Sequence, residues 1–172
     1  RGFGDVFADG VRAAAQHIGG GSERFAMEVK GLEFPAYDPR GAFGSGLSYA
    51  VSPRGACHRR AWPPAKEILG NYPPYTAEGK AEMVCDLYDL NCVLHSLLGC
   101  DMPGKFIPLS MEDYAQYLHA VTGESFSMDD FAEIAARTET LIRLFNLREG
   151  FGRKDDSLPY RILFEPLPDG PG

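Results

Sequence analysis

The stretch that decides the fold is residues 76–98, TAEGKAEMVCDLYDLNCVLHSLL, in which apolar residues recur every three or four positions. These positions are Met83, Leu87, Leu90, Leu94 and Leu97. Such spacing places them on one face of an α-helix, because one turn takes 3.6 residues. We predict a helix over the whole stretch, with Gly99 as its C-terminal stop and Cys100 just beyond its end.

Two further helices are predicted downstream from capping boxes, SMED at 110–113 and SMDD at 127–130. Gly123 and Gly150 are the expected stops, and the chain after Leu158 is expected to lose regular structure. Residues predicted to face the core are Tyr114, Tyr117 and Leu118 of the first helix and Phe131, Ile134, Ala135, Leu141, Ile142 and Phe145 of the second.

The N-terminal half shows weaker patterns. Residues 4–18 predict one helix that Gly19-Gly20-Gly21 ends, and residues 25–34 predict a strand-like piece. Residues 41–51 predict a helix whose glycines allow close approach of a neighbour. Residues 53–75, rich in proline, predict a long irregular connection. The fold class is therefore mainly α, an irregular orthogonal multi-helical bundle.

Composition narrows the function classes. The 172 residues carry a formal net charge of −7, which argues against nucleic-acid binding because phosphate affinity comes from clustered cations. No long apolar run predicts a membrane span, and the absence of a secretory leader favours a cytoplasmic protein. The chain begins without Met, so we expect a segment of a longer polypeptide. Its four cysteines form no CxxC pair, so local spacing predicts no complete metal site.

The chemistry is concentrated in a Gly-rich loop, RGACH at 54–58, which two arginines follow. Like charge from Arg59 and Arg60 disfavours a cationic His58, and a neutral imidazole can both donate and accept a hydrogen bond. That chemistry suits polarising a carbonyl or moving a proton. From the residues alone, a loop histidine that bonds only the backbone is the commoner case.

Two other segments frame this loop. PAYDPR at 35–40 holds Tyr37 between prolines, where a fixed phenol could donate to an oxyanion or simply pack. HSLLGC at 95–100 ends in Cys100, which could be a packing thiol or a metal ligand.

These three segments, followed by FNLREG at 145–150 and KDDSLP at 154–159, resemble the C-terminal helical part of the tungsten-containing aldehyde ferredoxin oxidoreductases. The resemblance covers nearly the whole chain. It implies a fragment of a larger oxidoreductase, in which residues 1–34 end a preceding helical lobe. Residues 35–172 would then be a C-terminal helical domain that contributes to the metal–pterin and cluster site.

The resemblance also implies roles for individual residues. His58 is expected close to the tungsten, where it can bond the aldehyde oxygen, and Tyr37 approaches the substrate in some members. Cys100 matches the fourth thiolate of a [4Fe–4S] cluster whose other three cysteines lie earlier in the polypeptide. Arg60 matches a cation that contacts pterin phosphates, with Arg59 as the competing candidate.

Two positions depart from the family pattern. His95 stands where an acidic residue usually accepts hydrogen bonds from pterin amino groups, and an imidazole can accept only one such bond. Gly99 stands where a leucine is common. Both positions are expected to line the cofactor, and their change points to a divergent subfamily.

By the resemblance, the whole enzyme oxidises aldehydes to carboxylic acids with a tungsten or molybdenum bis-pterin. Electrons pass through the [4Fe–4S] cluster to ferredoxin. Its partners are the remaining N-terminal part, ferredoxin and a small aldehyde, and a homodimer is compatible; the segment alone should be inactive. The alternatives are the tungsten subunit of a ring-reducing acyl-CoA reductase and a non-enzymatic helical interaction module.

Overall fold

The structure, a computed structural model, describes residues 2–102 and 109–170. Its helices are α1 (Phe3–Ala8), α2 (Val11–Ile18), α3 (Phe43–Val51), α4 (Pro64–Glu67), α5 (Lys80–Ser96), α6 (Met111–Thr122), α7 (Met128–Arg148) and α8 (Tyr160–Phe164). A two-stranded antiparallel hairpin joins β1 (Glu28–Val29) to β2 (Leu32–Glu33), with Val29 opposite Leu32. The prediction of a mainly helical fold is confirmed.

Helix α5 is the central element, with α3 and α7 packed against it. Its N-terminal half buries a cluster that includes Met83, Val84, Leu87 and Tyr88, against which Leu47 of α3 packs. Its C-terminal half buries Cys92 and Val93 against Phe131 and Ala135 of α7. Burial of these apolar side chains on both sides is the main stabilising contribution to the bundle.

The predicted helix over 76–98 is confirmed in type but is shorter at both ends. It begins at Lys80, because Gly79 adopts a left-handed φ of +70°. At the other end the left-handed residue is Leu98, with φ +57°, and not Gly99. The N–H of Gly99 donates to the carbonyl of Leu94 at 2.9 Å, the longer bond of a Schellman motif. The prediction of Gly99 as the helix stop is therefore wrong by one residue.

Both predicted capping boxes are confirmed, at Ser110 and Ser127. Gly123 and Gly150 have positive φ just beyond the two helices, as predicted. The predicted inward faces are only partly correct. Phe131 and Ala135 are buried, whereas Tyr117, Leu141 and Phe145 are exposed, because α7 packs on α5 along a narrow stripe around its buried residues.

The N-terminal half corrects two further predictions. Residues 4–18 form two helices, because Gly10 interrupts them with a φ of +93°. The predicted strand-like piece is the β1–β2 hairpin, and the predicted helix over 41–51 is α3. The expected irregular segments each contain one short helix, α4 and α8.

The hairpin region and the C-terminal segment are joined by ion pairs. Arg24 lies 2.5 Å from Glu165, and Lys30 lies 2.9 Å from Asp156. The division of the chain after residue 34 stays a prediction. None of the helices within residues 2–102 and 109–170 combines the length and hydrophobicity that crossing a bilayer needs.

A buried ion pair joins the last residue of α4, Glu67, to the N-terminal turns of α3 and α5. Lys80 Nζ lies 2.5 Å from Glu67 Oε1, and the two side chains are 3% and 0% exposed. The Glu67 carboxylate also accepts the backbone N–H groups of Gly44 and Ser45, at 2.8 and 3.3 Å, in the first turn of α3. A Cβ on Gly44 would lie 2.9 Å from that carboxylate and 2.6 Å from Met83 Cε. Gly44 is therefore required for the approach of Glu67 and α5.

We predict that Lys80→Met lowers the free energy of unfolding by about 3–5 kcal/mol, because it leaves the buried Glu67 carboxylate without its cation. The matched control is Lys66→Met, which removes an exposed lysine of α4 and should stay within about 0.5 kcal/mol of the parent. Denaturant unfolding measures both. Equal stabilities for the two variants would contradict a structural role for the pair.

We also predict that Leu98→Gly raises the free energy of unfolding by about 1 kcal/mol, since a non-glycine residue in the left-handed region is strained by about that amount. Leu98 is 95% exposed, so little packing is lost. Val121→Gly, at an exposed helical position, should instead destabilise by about 0.5–1 kcal/mol. Loss of stability in Leu98→Gly would show that the turn does not keep this conformation.

Candidate functional site

The Arg54–His58 loop follows α3 and lies against the β1–β2 hairpin. Gly55 has a φ of +96°, and a Cβ there would come within 2.1 Å of the Val29 carbonyl oxygen. Only glycine therefore fits this contact. Within the loop, Ala56 and Cys57 are buried, so packing holds in place the backbone that carries His58.

The structure brings the two predicted catalytic residues together. The rings of Tyr37 and His58 have centroids 5.6 Å apart and planes tilted by 44°. Tyr37 is 44% exposed, and His58 is half-buried. The turn that carries Tyr37 is braced by Arg40, which pairs with Asp38 at 2.7 Å and donates to the carbonyl of Glu165 at 2.7 Å.

Arg59 connects the loop to the segment that carries Cys100. Its Nε donates to Asp101 Oδ2 at 2.9 Å, and its Nη2 donates to Oδ1, a two-pronged contact across 42 residues of sequence. The hydrogen bond to Asp101 raises the pKa of Arg59, burial opposes that rise, and the charges of Asp101, Cys100 and Cys57 add to it. The guanidinium therefore lies within electrostatic reach of both thiols.

This pairing changes the expectation for His58. The sequence suggests that two like charges beside the imidazole disfavour its cationic form. In the structure the Asp101 carboxylate offsets the charge of Arg59. Arg59 is therefore not the unpaired like charge that the sequence suggests.

Arg60 contacts His95, so two predicted cofactor-binding residues also meet. Arg60 Nη1 lies 3.3 Å from His95 Nδ1, across 35 residues of sequence. Because a guanidinium can only donate, Nδ1 accepts, and the ring proton of a neutral His95 belongs on Nε2. The bare ring nitrogen expected to accept from a pterin amino group is therefore used by Arg60.

Cys100 lies just beyond α5, as predicted, and its thiol is exposed. Gly99 is half-buried, and a Cβ there would lie 3.2 Å from the Leu94 carbonyl oxygen. Tyr114 of α6 is another neighbour: burial raises its pKa, and the charges of Tyr117 and Cys100 add to that rise. Within the described ranges no three His, Cys, Asp or Glu side chains are grouped to hold a metal ion.

The structure adds two residues to the site. Asp101 is one, and the acid after Cys100 with the two arginines after His58 is the sequence signal that could have found it. Tyr49 of α3 is the other. Its side chain is 1% exposed, its hydroxyl has no hydrogen-bond partner among the described residues, and burial raises its pKa beside Tyr37 and Cys57.

The remaining cysteines are placed differently from one another. Cys57 and Cys92 are buried, and the Cys92 thiol lies 3.9 Å from the Ala135 carbonyl oxygen. Cys85 is exposed and lines a cavity of about 360 Å³ between α3, α5 and α7. Burial and three nearby acids raise its pKa, so the environment favours an unreactive thiol.

Comparisons with known proteins agree with the resemblance drawn from the motifs. The family model described as aldehyde ferredoxin oxidoreductase, domains 2 and 3, matches residues 1–172. Tungsten-containing aldehyde ferredoxin oxidoreductases of Pyrococcus horikoshii and Pyrococcus abyssi are 41% and 40% identical over 176 residues, covering 99% of this chain. That of Thermococcus kodakarensis is 39% identical over 175 residues. The chain spans 28% of the length of these relatives, and it belongs to the aldehyde ferredoxin oxidoreductase family, to the part described as domains 2 and 3.

Proposed function

We propose that this chain is the part of a tungsten- or molybdenum-dependent aldehyde oxidoreductase that supplies substrate-facing groups and one cluster ligand. The whole enzyme would convert an aldehyde and water to a carboxylic acid, two protons and two electrons. The observation that carries the proposal is the meeting of the His58 loop with Tyr37 on one side and with the Cys100 segment on the other. The named activity of the relatives supports the same reaction.

The residues present fit the two implied groups. An exposed thiolate beyond a helix end suits one corner of a [4Fe–4S] cluster, and Cys100 would be that ligand. Arg60, His95 and Gly99 would line the bis-pterin beside it. When bound, the metal–pterin would supply the two-electron chemistry and the cluster the one-electron transfer to ferredoxin.

His58 and Tyr37 would act on the substrate oxygen. The half-buried imidazole can donate to an aldehyde oxygen or carry a proton, and the exposed Tyr37 phenol can donate to the same oxygen. Their rings lie close enough to contact one small substrate together. The covalent redox chemistry belongs to the cofactor, while these side chains orient the carbonyl and move protons.

The further assignments follow from this role. The remaining N-terminal part of the polypeptide would provide the other three cluster cysteines, residues 1–34 would end its helical lobe, and residues 35–172 would form the C-terminal domain. Ferredoxin would accept the electrons in the cytoplasm, and a homodimer is compatible with this arrangement.

One observation favours a second candidate within the same superfamily. His95, which accepts from Arg60, replaces the acidic pterin contact that the resemblance leads us to expect. A changed pterin environment fits a tungsten subunit that reduces an aromatic acyl-CoA ring. A panel of aldehydes and aromatic acyl-CoA esters, with ferredoxin or a viologen dye as redox partner, separates the two activities. Metal analysis of the full-length protein separates both from an interaction module, which would bind neither tungsten nor molybdenum.

We predict that Cys100→Ser in the full-length enzyme lowers cluster iron and weakens the EPR signal of the reduced cluster, because a serine oxygen is a poorer iron ligand than a thiolate at neutral pH. The matched control is Cys85→Ser, which changes another exposed cysteine and should leave the signal intact. An unchanged cluster in Cys100→Ser would show that Cys100 is not a ligand.

We predict that His58→Ala lowers kcat/KM by about 10²–10⁴-fold, the usual effect of losing a positioned proton-transfer group. Metal and pterin content should stay near normal, since His58 is proposed to contact the substrate. His119→Ala, at an exposed position on α6, is the control. Normal turnover in His58→Ala would show that His58 has no catalytic role.

A further inference from the structure

We infer that Arg59 and Asp101 are positioning residues, whose ion pair (the Arg59–Asp101 bridge) holds His58 and Cys100 in a fixed relation. The inference rests on the proposed function, in which His58 contacts the substrate and Cys100 binds the cluster. Each partner of the bridge is the immediate chain neighbour of one of these residues. Consecutive Cα atoms are about 3.8 Å apart, so a shift of either segment moves the functional residue with it.

The geometry of the bridge is that of a rigid contact. Two guanidinium nitrogens of Arg59 meet the two carboxylate oxygens of Asp101, and a paired contact of this kind fixes orientation as well as distance. The Asp101 side chain is 1% exposed, while that of Arg59 is 45% exposed. A carboxylate buried this deeply needs its cation, because an unpaired buried charge is strongly unfavourable.

The surroundings of Asp101 point to a role beyond general packing. Its neighbours Cys100 and Met102 are both exposed, so Asp101 is the buried anchor of an otherwise exposed segment. That segment follows the strained left-handed turn at Leu98. The bridge therefore fixes the segment after α5, which has few buried residues of its own to hold it.

A second contact removes the remaining freedom. Arg60, the next residue, hydrogen-bonds His95 at 3.3 Å, so two consecutive arginines contact points on both sides of the helix end. A single contact would allow the loop to pivot about Asp101. Two contacts from adjacent residues hold the loop against rotation. They keep the His58 ring in contact with the Tyr37 ring.

The test uses the full-length, metal-loaded enzyme with Asp101→Asn, Arg59→Gln and the double variant. Asp101→Asn keeps the shape of the side chain and removes its charge. The double variant guards against misfolding, because it replaces the ion pair by two neutral amides and leaves no buried unpaired carboxylate. The matched control is Arg54→Gln, which removes an exposed arginine from the same loop.

Three measurements apply to every variant: hydrogen exchange of residues 54–62 and 95–102, the EPR signal of the reduced cluster, and kcat with KM. We expect Asp101→Asn and the double variant to exchange faster in both segments, with altered EPR g-values and kcat lowered by about 10- to 100-fold, as for other residues that orient metal ligands. The kcat of the double variant should be little lower than that of Asp101→Asn, because the two side chains act as one unit. Arg54→Gln should match the parent.

Exchange, EPR signal and kcat all equal to those of Arg54→Gln in both Asp101→Asn and the double variant would overturn the inference. Faster exchange with an unchanged EPR signal and kcat would also overturn it, since the bridge would then only stabilise the fold. The comparison with Cys100→Ser separates the two proposals. A cluster that survives Cys100→Ser contradicts the proposed function, whereas a cluster lost in Cys100→Ser but unaffected by Asp101→Asn contradicts only the positioning role.

Discussion

The buried pair of Glu67 and Lys80 is the interaction on which the rest of the structure depends. One carboxylate, 0% exposed in its side chain, accepts a lysine cation and two backbone N–H groups at the start of α3. The same lysine donates to the carbonyl of Pro73 at 2.5 Å, which closes the long connection between α3 and α5. The pair therefore fixes the N-terminal ends of α3 and α5 relative to each other. The dipole of α3 places a partial positive charge at its N-terminus, and this charge also favours the Glu67 carboxylate there.

Because the N-terminal ends of α3 and α5 are fixed, the positions of their C-terminal ends follow. Helix α3 leads into the Arg54–His58 loop, and α5 leads into the segment that ends at Cys100. The two helices pack against each other, and the contacts of Arg59 and Arg60 join the segments at their C-terminal ends. The candidate site is thus built from chain segments beyond helix ends, carried on a rigid pair of helices. This arrangement lets loop residues carry function while the core supplies the rigidity.

The exposed apolar side chains of this chain are consistent with its covering only part of the length of its relatives. Large apolar side chains lie exposed on α7, among them Leu141, Leu144 and Phe145, and the chain spans 28% of the length of its relatives. Single exposed apolar residues need no explanation, but a run along one helix marks a surface that favours contact. The inward face predicted for α7 was therefore partly wrong for a physical reason: amphipathic spacing shows that a face is apolar and does not show what covers it.

By itself, the sequence determined the helical class, the capping boxes at Ser110 and Ser127, and the family, because these depend on local spacing and on short motifs. It also singled out His58, Tyr37 and Cys100. Only the tertiary structure decided that Leu98 and not Gly99 takes the left-handed turn, because that choice depends on which carbonyl of α5 the chain can reach. Likewise, the partners of Arg59 and Arg60 lie 42 and 35 residues away. Charge pairing over such separations depends on how the helices pack. A local sequence pattern does not predict that packing.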